Sequence, residues 1–312
     1  MNITPPSYEI LDSLDREGLA VRIEYSGRIC YKSEDQINQD SAIPFVRKMA
    51  EHGHNSVLEM GVVTVRVSYS DPQQLTELMA TQPRYLHIDS PDKQTLLITG
   101  SVRAFREMLI FHPDCILVKA IAAFLSDSHP YFFETILPAS GLRNDASISV
   151  AKVSLADVDN LSPELRLMHR HIGVKFTVNR AVTHEIVRHR PCSFLQESQR
   201  YCRYSENKFG GEVTFIKPMF YEEGSLEYDM WKKAMEDTEQ VYLQLLKTST
   251  PQAARTVLPN SCKTELIVYA NLQEWKHIFK LRTTKAAEPS MREVMIPLYE
   301  ELKARFPELR LS

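Results

Sequence analysis

Hydrophobic and polar positions alternate in short stretches of the chain, and this alternation predicts strands. In VVTVRVSYS (62–70) every second residue from Val63 is apolar, which is the period-two pattern of a half-buried strand. Further strands are predicted in VKFTVN (174–179) and in VTFIK (213–217). The predicted strands are few and lie far apart along the chain.

Apolar residues recur with helical spacing over much of the remaining chain. Helices are predicted in SEDQINQDSAIPFVRKMAEH (interrupted or restarted at Pro44), SVRAFREMLIFHPDCILVKAIAAFL, AVTHEIVRHR, SLEYDMWKKAMEDTEQVYLQLLK, NLQEWKHIFKLR and PSMREVMIPLYEELKARF. Pro191 should end the third of these, because proline cannot continue a helix. The predicted class is α+β with helix dominating, and the stretch at about 71–170 is predicted to be an insertion or a subdomain.

Composition indicates an ordinary globular protein without a strongly charged surface. The chain has 312 residues, 43% of them hydrophobic, which suffices for one large or two modest domains. Acidic residues outnumber basic ones by 40 to 37, so phosphate binding needs a local cluster, and long nucleic acid is not an expected partner. Five cysteines without a CxxC pair, no signal-peptide pattern and no long apolar run predict reduced thiols, no membrane span and a cytoplasmic protein.

Glycine is scarce, and this limits the kinds of phosphate site that the chain can form. Only 10 of 312 residues are glycine, about half the usual frequency of roughly 7%. The GxGxxG dinucleotide turn and the glycine-rich P-loop are both absent from the sequence. A phosphorylated ligand would therefore have to be held by arginines.

Residues 184–201, HEIVRHRPCSFLQESQRY, bring cationic, hydroxyl and amide groups into one stretch. The tripeptide RHR at 188–190 stands where the helix should end, so its side chains can fan out towards a ligand. Ser193, Ser198 and Arg200 follow on a predicted turn, where hydroxyl and backbone N–H groups can complete a phosphate or pyrimidine site. A simpler explanation remains open, because basic residues in a last turn also complement the helix dipole.

Metal and hydrolase chemistry fit these residues less well. The two histidines of HEIVRH lie five residues apart, roughly 140° around a helix, so they do not form the paired face of a zinc protease box. His52 and His54 could bind a metal with Glu59, but three ligands on a turn without a convincing fourth make a weak site. Ser198 lacks a GxSxG elbow and an orienting acid, which disfavours a nucleophilic role served by His189.

Two further arginines stand near predicted helix ends. Arg255 lies before Pro259 in PQAARTVLPN, and Arg282 ends the amphipathic stretch FKLR. A surface or carbonyl-capping role for the first and a solvated flank for the second are the ordinary explanations. Neither residue alone indicates a site.

Several segments, read together, resemble the flavin-dependent thymidylate synthases. The signature of that family is RHR, seven residues and Ser, and it stands here as RHR-PCSFLQE-S at 188–198. HGHNSVLE at 52–59, the strand leading into RAVTHEIVRHR, ARTVLP at 254–259 and NLQEWKHIFKLR at 271–282 stand in the order that the family has them. The resemblance covers the first 70 residues and everything from about residue 170.

The resemblance implies a fold, a reaction and an assembly. It implies one helix-rich α+β domain over residues 1–312, with a mixed or antiparallel sheet and an insertion at about 71–170. It also implies reductive methylation of dUMP to dTMP, with bound FAD reduced by NADPH and with methylenetetrahydrofolate as carbon donor. The assembly would be a homotetramer with active sites shared between subunits and no metal.

Site residues follow from the resemblance at the positions that match the family. Arg282 would polarise the pyrimidine ring, with Ser198 as the second residue at the catalytic centre, and His54 is a possible folate or flavin contact. The expected dUMP ligands are Glu185, Arg188, Gln196, Glu197, Ser198, Gln199, Arg200 and Arg255. The expected FAD ligands are Ser56, Arg188, His189, Arg190, Gln196, Asn271, Gln273 and His277.

Some positions depart from the family pattern. Gln196 stands where an acid is common, with the acid displaced to Glu197, and Glu288 stands where many relatives carry His. Gln273 stands where some members have Arg. These departures leave open a catalytically silent relative that binds flavin and nucleotide, and a metal-dependent hydrolase using the histidines of HGHNSVLE remains a more distant alternative.

Overall fold

The secondary structure combines fourteen α-helices with ten strands in the part of the chain that the computed structural model describes, which is residues 1–137, 142 and 145–311. The strands are β1 Asn2–Thr4, β2 Ser7–Ile10, β3 Val62–Tyr69, β4 Leu86–Asp92, β5 Thr95–Ser101, β6 Ile148–Lys152, β7 His171–Asn179, β8 Ser193–Gln196, β9 Thr214–Ile216 and β10 Lys263–Asn271. The helices are α1 Asp12–Asp15, α2 Leu19–Ile29, α3 Ala42–Glu51, α4 Asn55–Leu58, α5 Pro72–Ala80, α6 Val102–Phe111, α7 Ile116–Ser128, α8 Leu155–Asp159, α9 Pro163–His169, α10 Arg180–Ile186, α11 Leu226–Leu245, α12 Pro251–Ala254, α13 Leu272–Arg282 and α14 Pro289–Arg305. The predicted α+β class is confirmed.

Three sheets organise the strands. One four-stranded sheet has the order β2-β7-β10-β8 and a second has the order β4-β5-β3-β6, and neighbouring strands are antiparallel in both. Strands β1 and β9 form a small parallel pair. The first sheet places β8, which follows the RHR tripeptide, beside β10, which leads into α13.

Aromatic packing fixes α13 on the first sheet. Trp275 and Phe279 are fully buried and stack with ring centroids 5.6 Å apart, and Phe176 of β7 lies 6.4 Å from the Trp275 ring. The indole N–H of Trp275 also donates to the Ile172 carbonyl at 3.1 Å. Burial of each large side chain contributes about 1.5–3 kcal/mol, so the helix that ends at Arg282 is held firmly.

The segment at about 71–170 is built into the second sheet. Its strands β4, β5 and β6 supply three of the four strands, and β3 supplies the fourth. Helices α6 and α7 pack into the same hydrophobic core as α2, α3 and α4. Whether this segment is an insertion relative to shorter chains remains a prediction.

Several predicted elements are confirmed, and others end elsewhere. β3 and β7 cover the predicted strands, but α10 ends at Ile186 and not at Pro191. The last turn of α10 tightens, since the Arg188 N–H donates to the Glu185 carbonyl at 3.3 Å and the His189 N–H donates to the Ile186 carbonyl at 3.1 Å. The helix therefore ends in a tight turn before Pro191, and the Arg282 guanidinium adds a second donor to the Glu185 carbonyl at 3.2 Å.

Two other boundaries differ because of proline and strand pairing. The predicted helix in 101–125 is broken into α6 and α7, since Pro113 lacks the N–H that a continuous helix needs. The predicted turn at Ser193 is the start of β8, whose pairing with β10 sequence spacing alone does not reveal. No helix within the described ranges has the length and apolar character that crossing a bilayer requires.

Candidate active site

A cleft of about 430 Å³ lies between the turn that follows α10 and one face of α13. Its lining residues are Arg188, His189, Arg190, Pro191, Glu274, His277, Leu281 and Arg282. Arg188 and Arg190 are exposed and form no side-chain hydrogen bond within the described part of the chain. The structure thus brings the RHR tripeptide together with His277 and Arg282 of α13.

The Arg282 guanidinium is held by two side chains, those of Glu185 and His189. Its Nη1 lies 2.7 Å from Glu185 Oε2, and its Nε donates to His189 Nε2 at 3.1 Å. Only 17% of the Arg282 side chain is exposed, so the planar guanidinium has one fixed orientation. This arrangement sets a positive group at the cleft wall.

The Arg282 contact also determines the tautomer of His189. Because Nε2 accepts a hydrogen bond from Arg282, the neutral ring carries its proton on Nδ1. Nδ1 lies 3.6 Å from Glu274 Oε1, and the His277 ring stands edge-on to His189 at 5.9 Å. The buried Glu274 Oε1 forms no hydrogen bond among the described residues and faces His189 Nδ1.

His189, Glu274 and His277 could in principle ligate a metal, since their donor atoms lie within 4.8 Å of one another. Three guanidinium groups line the same cleft. Like charge disfavours a cation in that position. The cleft suits an anionic ligand better than a metal.

The predicted FAD ligand Asn271 has a structural role in this fold. Its Oδ1 accepts from the Glu274 N–H at 2.9 Å and caps α13, while its Nδ2 donates to the Met168 carbonyl at 3.1 Å. Gln273 is exposed in the first turn of the same helix. Asn271 lines a second cavity of about 450 Å³ that shares Arg190 with the cleft, so its predicted ligand role stays a prediction.

Two predicted ligands, Gln196 at the end of β8 and Gln199 just after it, differ in their contacts. Gln196 donates to Thr183 Oγ1 at 3.0 Å and to Thr264 Oγ1 at 3.2 Å, so its amide is tied to α10 and β10. Gln199 is buried, and its Nε2 has no partner in the described part of the chain. The amide of Gln196 is therefore committed to the fold, whereas Gln199 Nε2 is enclosed without a hydrogen bond to the described residues.

Glu197 is almost fully buried, at 2% exposure, and both carboxylate oxygens are occupied. One accepts from Tyr204 Oη at 2.8 Å and the other binds Lys263 Nζ at 3.0 Å. Lys263 and Tyr204 were not found by sequence reasoning, because 66 residues of chain separate Lys263 from Glu197 and no motif links them. The predicted contact of Glu197 with dUMP stays a prediction.

The ion pairs continue from Lys263 towards the surface. Lys263 binds Glu265 at 2.7 Å, and Glu265 binds Lys32 at 3.0 Å. Burial raises the pKa of Glu265, but Lys263 and Lys32 outweigh burial and lower it to about 2. The network that holds Glu197 therefore stays ionised near neutral pH.

Ser198, Arg200, Arg255, Ser56 and His54 do not line the cleft around Arg282. The Ser198 N–H donates to the Cys30 carbonyl at 3.0 Å, and the exposed Arg200 lies over the Tyr201 ring at 5.1 Å. Arg255 is half-buried after α12 and forms no side-chain hydrogen bond within the described ranges, while Ser56 and His54 are exposed at α4. Within one chain the predicted site residues form separate groups.

The alternative chemistries receive no support from the geometry. Glu59 binds Arg103 at 2.6 Å, and the groups in the described ranges that could hold a metal do not include His52 or His54. His189 contacts Arg282 and Glu274 rather than Ser198, which disfavours a serine hydrolase.

Glu288, the departure that motivated the silent alternative, has a local structural role. Its carboxylate accepts the Met291 N–H at 2.9 Å and caps α14. An acidic residue suits this position, because the first N–H groups of a helix lack partners within the helix. The charge of Glu288 is therefore accounted for by the helix that it begins.

The fold and the cleft define a helix-rich α+β protein with three guanidinium groups around one cleft. Residues 166–308 match the family model described as thymidylate synthase complementing protein. The chain is 34% identical over 166 residues to a flavin-dependent thymidylate synthase of Pyrococcus furiosus, covering 50% of this chain and 67% of that protein. The chain belongs to the family of flavin-dependent thymidylate synthases.

Other similarities are partial in length. A flavin-dependent thymidylate synthase of Pyrococcus abyssi is 39% identical over 133 residues, which is 42% of this chain and 53% of that protein. A flavin-dependent thymidylate synthase of Corynebacterium efficiens is 32% identical over 146 residues, which is 42% of this chain and 56% of that protein. The chain thus spans about half the length of these two relatives. A solved UMP/dUMP methylase of Streptomyces cacaoi bound with 5-Br dUMP aligns over 99% of this chain and 95% of that one, at 13% identity and a TM-score of 0.41, too low to support a conclusion.

Proposed function

We propose that the chain is a thymidylate synthase that reductively methylates dUMP to dTMP. FAD would be its flavin, NADPH its reductant and methylenetetrahydrofolate its carbon donor. The observation that carries this proposal is the fixed Arg282 at a cationic cleft that also holds the RHR tripeptide. Family membership supplies the chemistry to which that geometry is suited.

The residues of the cleft fit a flavin dinucleotide. Arg188 and Arg190 have side chains free to bind pyrophosphate oxygens, which guanidinium groups bind in bidentate geometry. When bound, the flavin would carry the hydride chemistry, which the side chains of the protein cannot supply.

Arg282 is proposed to stabilise charge on the pyrimidine. A uracil ring becomes nucleophilic at C5 when negative charge on its N3 and O4 edge is stabilised, and a fixed guanidinium can do this without being consumed. Glu185 and His189 keep Arg282 in place before substrate binds. Ser198 then contacts substrate without serving as a nucleophile.

A complete site is proposed to need more than one chain. Gln199, Arg200 and Arg255 do not line the cleft that contains Arg282, although the family pattern assigns all of them to one ligand. The half-buried Arg255, whose side chain forms no hydrogen bond to the described residues, suits a nucleotide phosphate. In a homotetramer with shared active sites, Gln199, Arg200 and Arg255 of one subunit would lie next to the cleft of another.

Absorbance of the purified protein between about 300 and 550 nm, followed by NADPH addition with and without dUMP, tests the proposal. We expect flavin bands that bleach faster with dUMP, and dTMP after methylenetetrahydrofolate is added. Bleaching without dTMP would support the silent relative instead. A colourless protein that cannot be reconstituted with FAD would end the synthase proposal.

Replacing Arg255 with alanine is expected to raise the KM for dUMP by about 10- to 100-fold, because a charge-assisted hydrogen bond is worth about 1.5–3 kcal/mol. Flavin content should not change. Steady-state kinetics and the flavin absorbance of the same sample measure the two effects. Gln252→Ala, at an exposed position in the preceding helix, is the matched control and should behave as the unmodified chain. Loss of flavin from the Arg255 variant would assign this residue to the other ligand.

A further inference from the structure

We propose that His87, Asp89 and His169 form a binding site for Zn²⁺, separate from the cleft. His87 Nε2 lies 2.7 Å from Asp89 Oδ2, and His169 Nε2 lies 2.9 Å from the same oxygen. The ligand atoms of all three residues lie within 4.8 Å of one another. Two imidazoles and one carboxylate converging on a point are a common donor set for zinc with one position left for water.

The three residues come from two parts of the fold. His87 and Asp89 alternate along β4, so their side chains point to the same face of the strand. His169 is the last residue of α9 and approaches from the far side, 80 residues along the chain from Asp89. A bound ion would therefore join the edge of the second sheet to the helix that leads into the first sheet.

Burial differs among the ligands as expected for a site with one open position. The His169 side chain is fully buried, whereas His87 is 30% and Asp89 35% exposed. His87 also lines the cavity of about 450 Å³ that reaches Arg190 and Ser193. An ion here would be anchored on its inner side and open to water or an anion on its outer side.

Two buried hydroxyl groups support the inner ligand. Thr99 Oγ1 lies 2.7 Å from His169 Nδ1, and Thr64 Oγ1 lies 2.7 Å from Thr99 Oγ1. Without an ion, His169 can donate from Nε2 to Asp89 while Nδ1 accepts from Thr99. With an ion on Nε2, the ring proton moves to Nδ1 and the Thr99 hydroxyl rotates to accept it. The hydroxyl pair therefore satisfies either tautomer, which is the usual arrangement around a metal-binding histidine.

The geometry needs only a small adjustment to hold the ion. Ligand bonds of about 2.0–2.1 Å in tetrahedral geometry separate neighbouring ligand atoms by about 3.3 Å. The present separations of 2.7 and 2.9 Å are those of hydrogen bonds, so each imidazole would move outward by roughly half an ångström. Imidazole donors favour zinc over magnesium and calcium, which prefer oxygen ligands.

Zinc binding to the full-length, chelator-treated protein tests this proposal. Calorimetric titration with Zn²⁺ alone should show one tight equivalent, and the Tm should rise by about 5 °C when free zinc is a hundredfold above its Kd. X-ray absorption of the bound zinc should show nitrogen and oxygen ligands without sulfur. Sulfur ligation would place the ion at a cysteine and overturn the assignment.

Variants distinguish this site from surface histidines. His87→Gln removes a half-exposed ligand and should weaken the tight equivalent by at least about 100-fold, a larger effect than loss of an outer-shell partner. Thr99→Val should weaken zinc binding by about 10- to 100-fold through that outer shell. His52→Asn, at an exposed histidine away from the site, is the matched control and should keep full zinc affinity.

The decisive comparison is between the zinc affinities of the His87 and His52 variants. Circular dichroism before the titration checks that both variants are folded. Unchanged zinc affinity in a folded His87→Gln protein, or loss of affinity in His52→Asn, would overturn the proposal. No tight equivalent in the unmodified protein would do the same. None of these outcomes depends on dTMP formation, so failure of the zinc proposal and failure of the synthase proposal remain distinguishable.

Discussion

Replacing Arg282 with alanine is expected to slow dTMP formation by about 10²- to 10³-fold, the usual effect of removing one donor that stabilises a developing negative charge. The fold and the flavin absorbance should be retained, because α13 is held on the sheet by Trp275 and Phe279 rather than by Arg282. Single-turnover measurements of dTMP with saturating dUMP report the chemical step directly. Circular dichroism checks that the fold is retained, and the flavin spectrum of the same sample checks that flavin is still bound.

Two further variants show whether geometry or charge is responsible. Arg282→Lys keeps the charge, but an ammonium cannot reproduce the planar fork that contacts Glu185 and His189 together, so activity should stay low. Lys280→Ala removes an exposed positive charge two residues away on the same helix and should leave the rate unchanged. Equal rates in Arg282→Ala and the unmodified enzyme would refute the assigned role, and loss of flavin would make Arg282 a structural residue.

Replacing Glu197 with alanine is expected to lower the free energy of unfolding by about 1–3 kcal/mol, the usual cost of leaving a buried hydrogen-bond donor without its acceptor. The change leaves Lys263 with Glu265 alone and leaves the buried Tyr204 hydroxyl without its acceptor. Urea denaturation at neutral pH, with the slope compared between proteins, measures the loss.

Glu34→Ala is the matched control at the outer end of the same network. Glu34 binds Lys32 at 2.7 Å but is 30% exposed, so its loss should cost less than about 1 kcal/mol. A Glu197→Ala protein of unchanged stability with a higher KM for dUMP would show that Glu197 leaves the network to bind substrate. The two outcomes separate a structural carboxylate from a ligand.

The sequence predicts the regular elements well where one period persists. The alternation in 62–70 gives β3, and helical spacing gives α13 and α14 within a residue or two. It misplaces the end of α10, because apolar spacing does not reveal the tight turn in which the Arg188 and His189 N–H groups bond the Glu185 and Ile186 carbonyls. It also misses β8, whose four residues form a strand through pairing with β10 and not through their own propensity.

The candidate site also has some features that a local motif reveals and others that depend on contacts between distant residues. A local run such as RHR can be read directly, and the structure places it in the cleft with Arg282. The orientation of Arg282, the burial of Glu197 and the convergence of His169 on Asp89 depend on contacts between residues tens of positions apart. Periodicity describes which face a side chain takes, but it does not say which distant group that face meets.

The pairing of β1 with β9 has a consequence for synthesis on the ribosome. Asn2 pairs with Thr214, and Ser7 of β2 pairs with Thr177, so the first strands to leave the ribosome wait for partners that are made far later. At about 5–20 residues per second, roughly 10–40 s pass before β9 follows β1. During that time the second sheet and its helices can fold, whereas the sheet beside the active-site cleft must remain open.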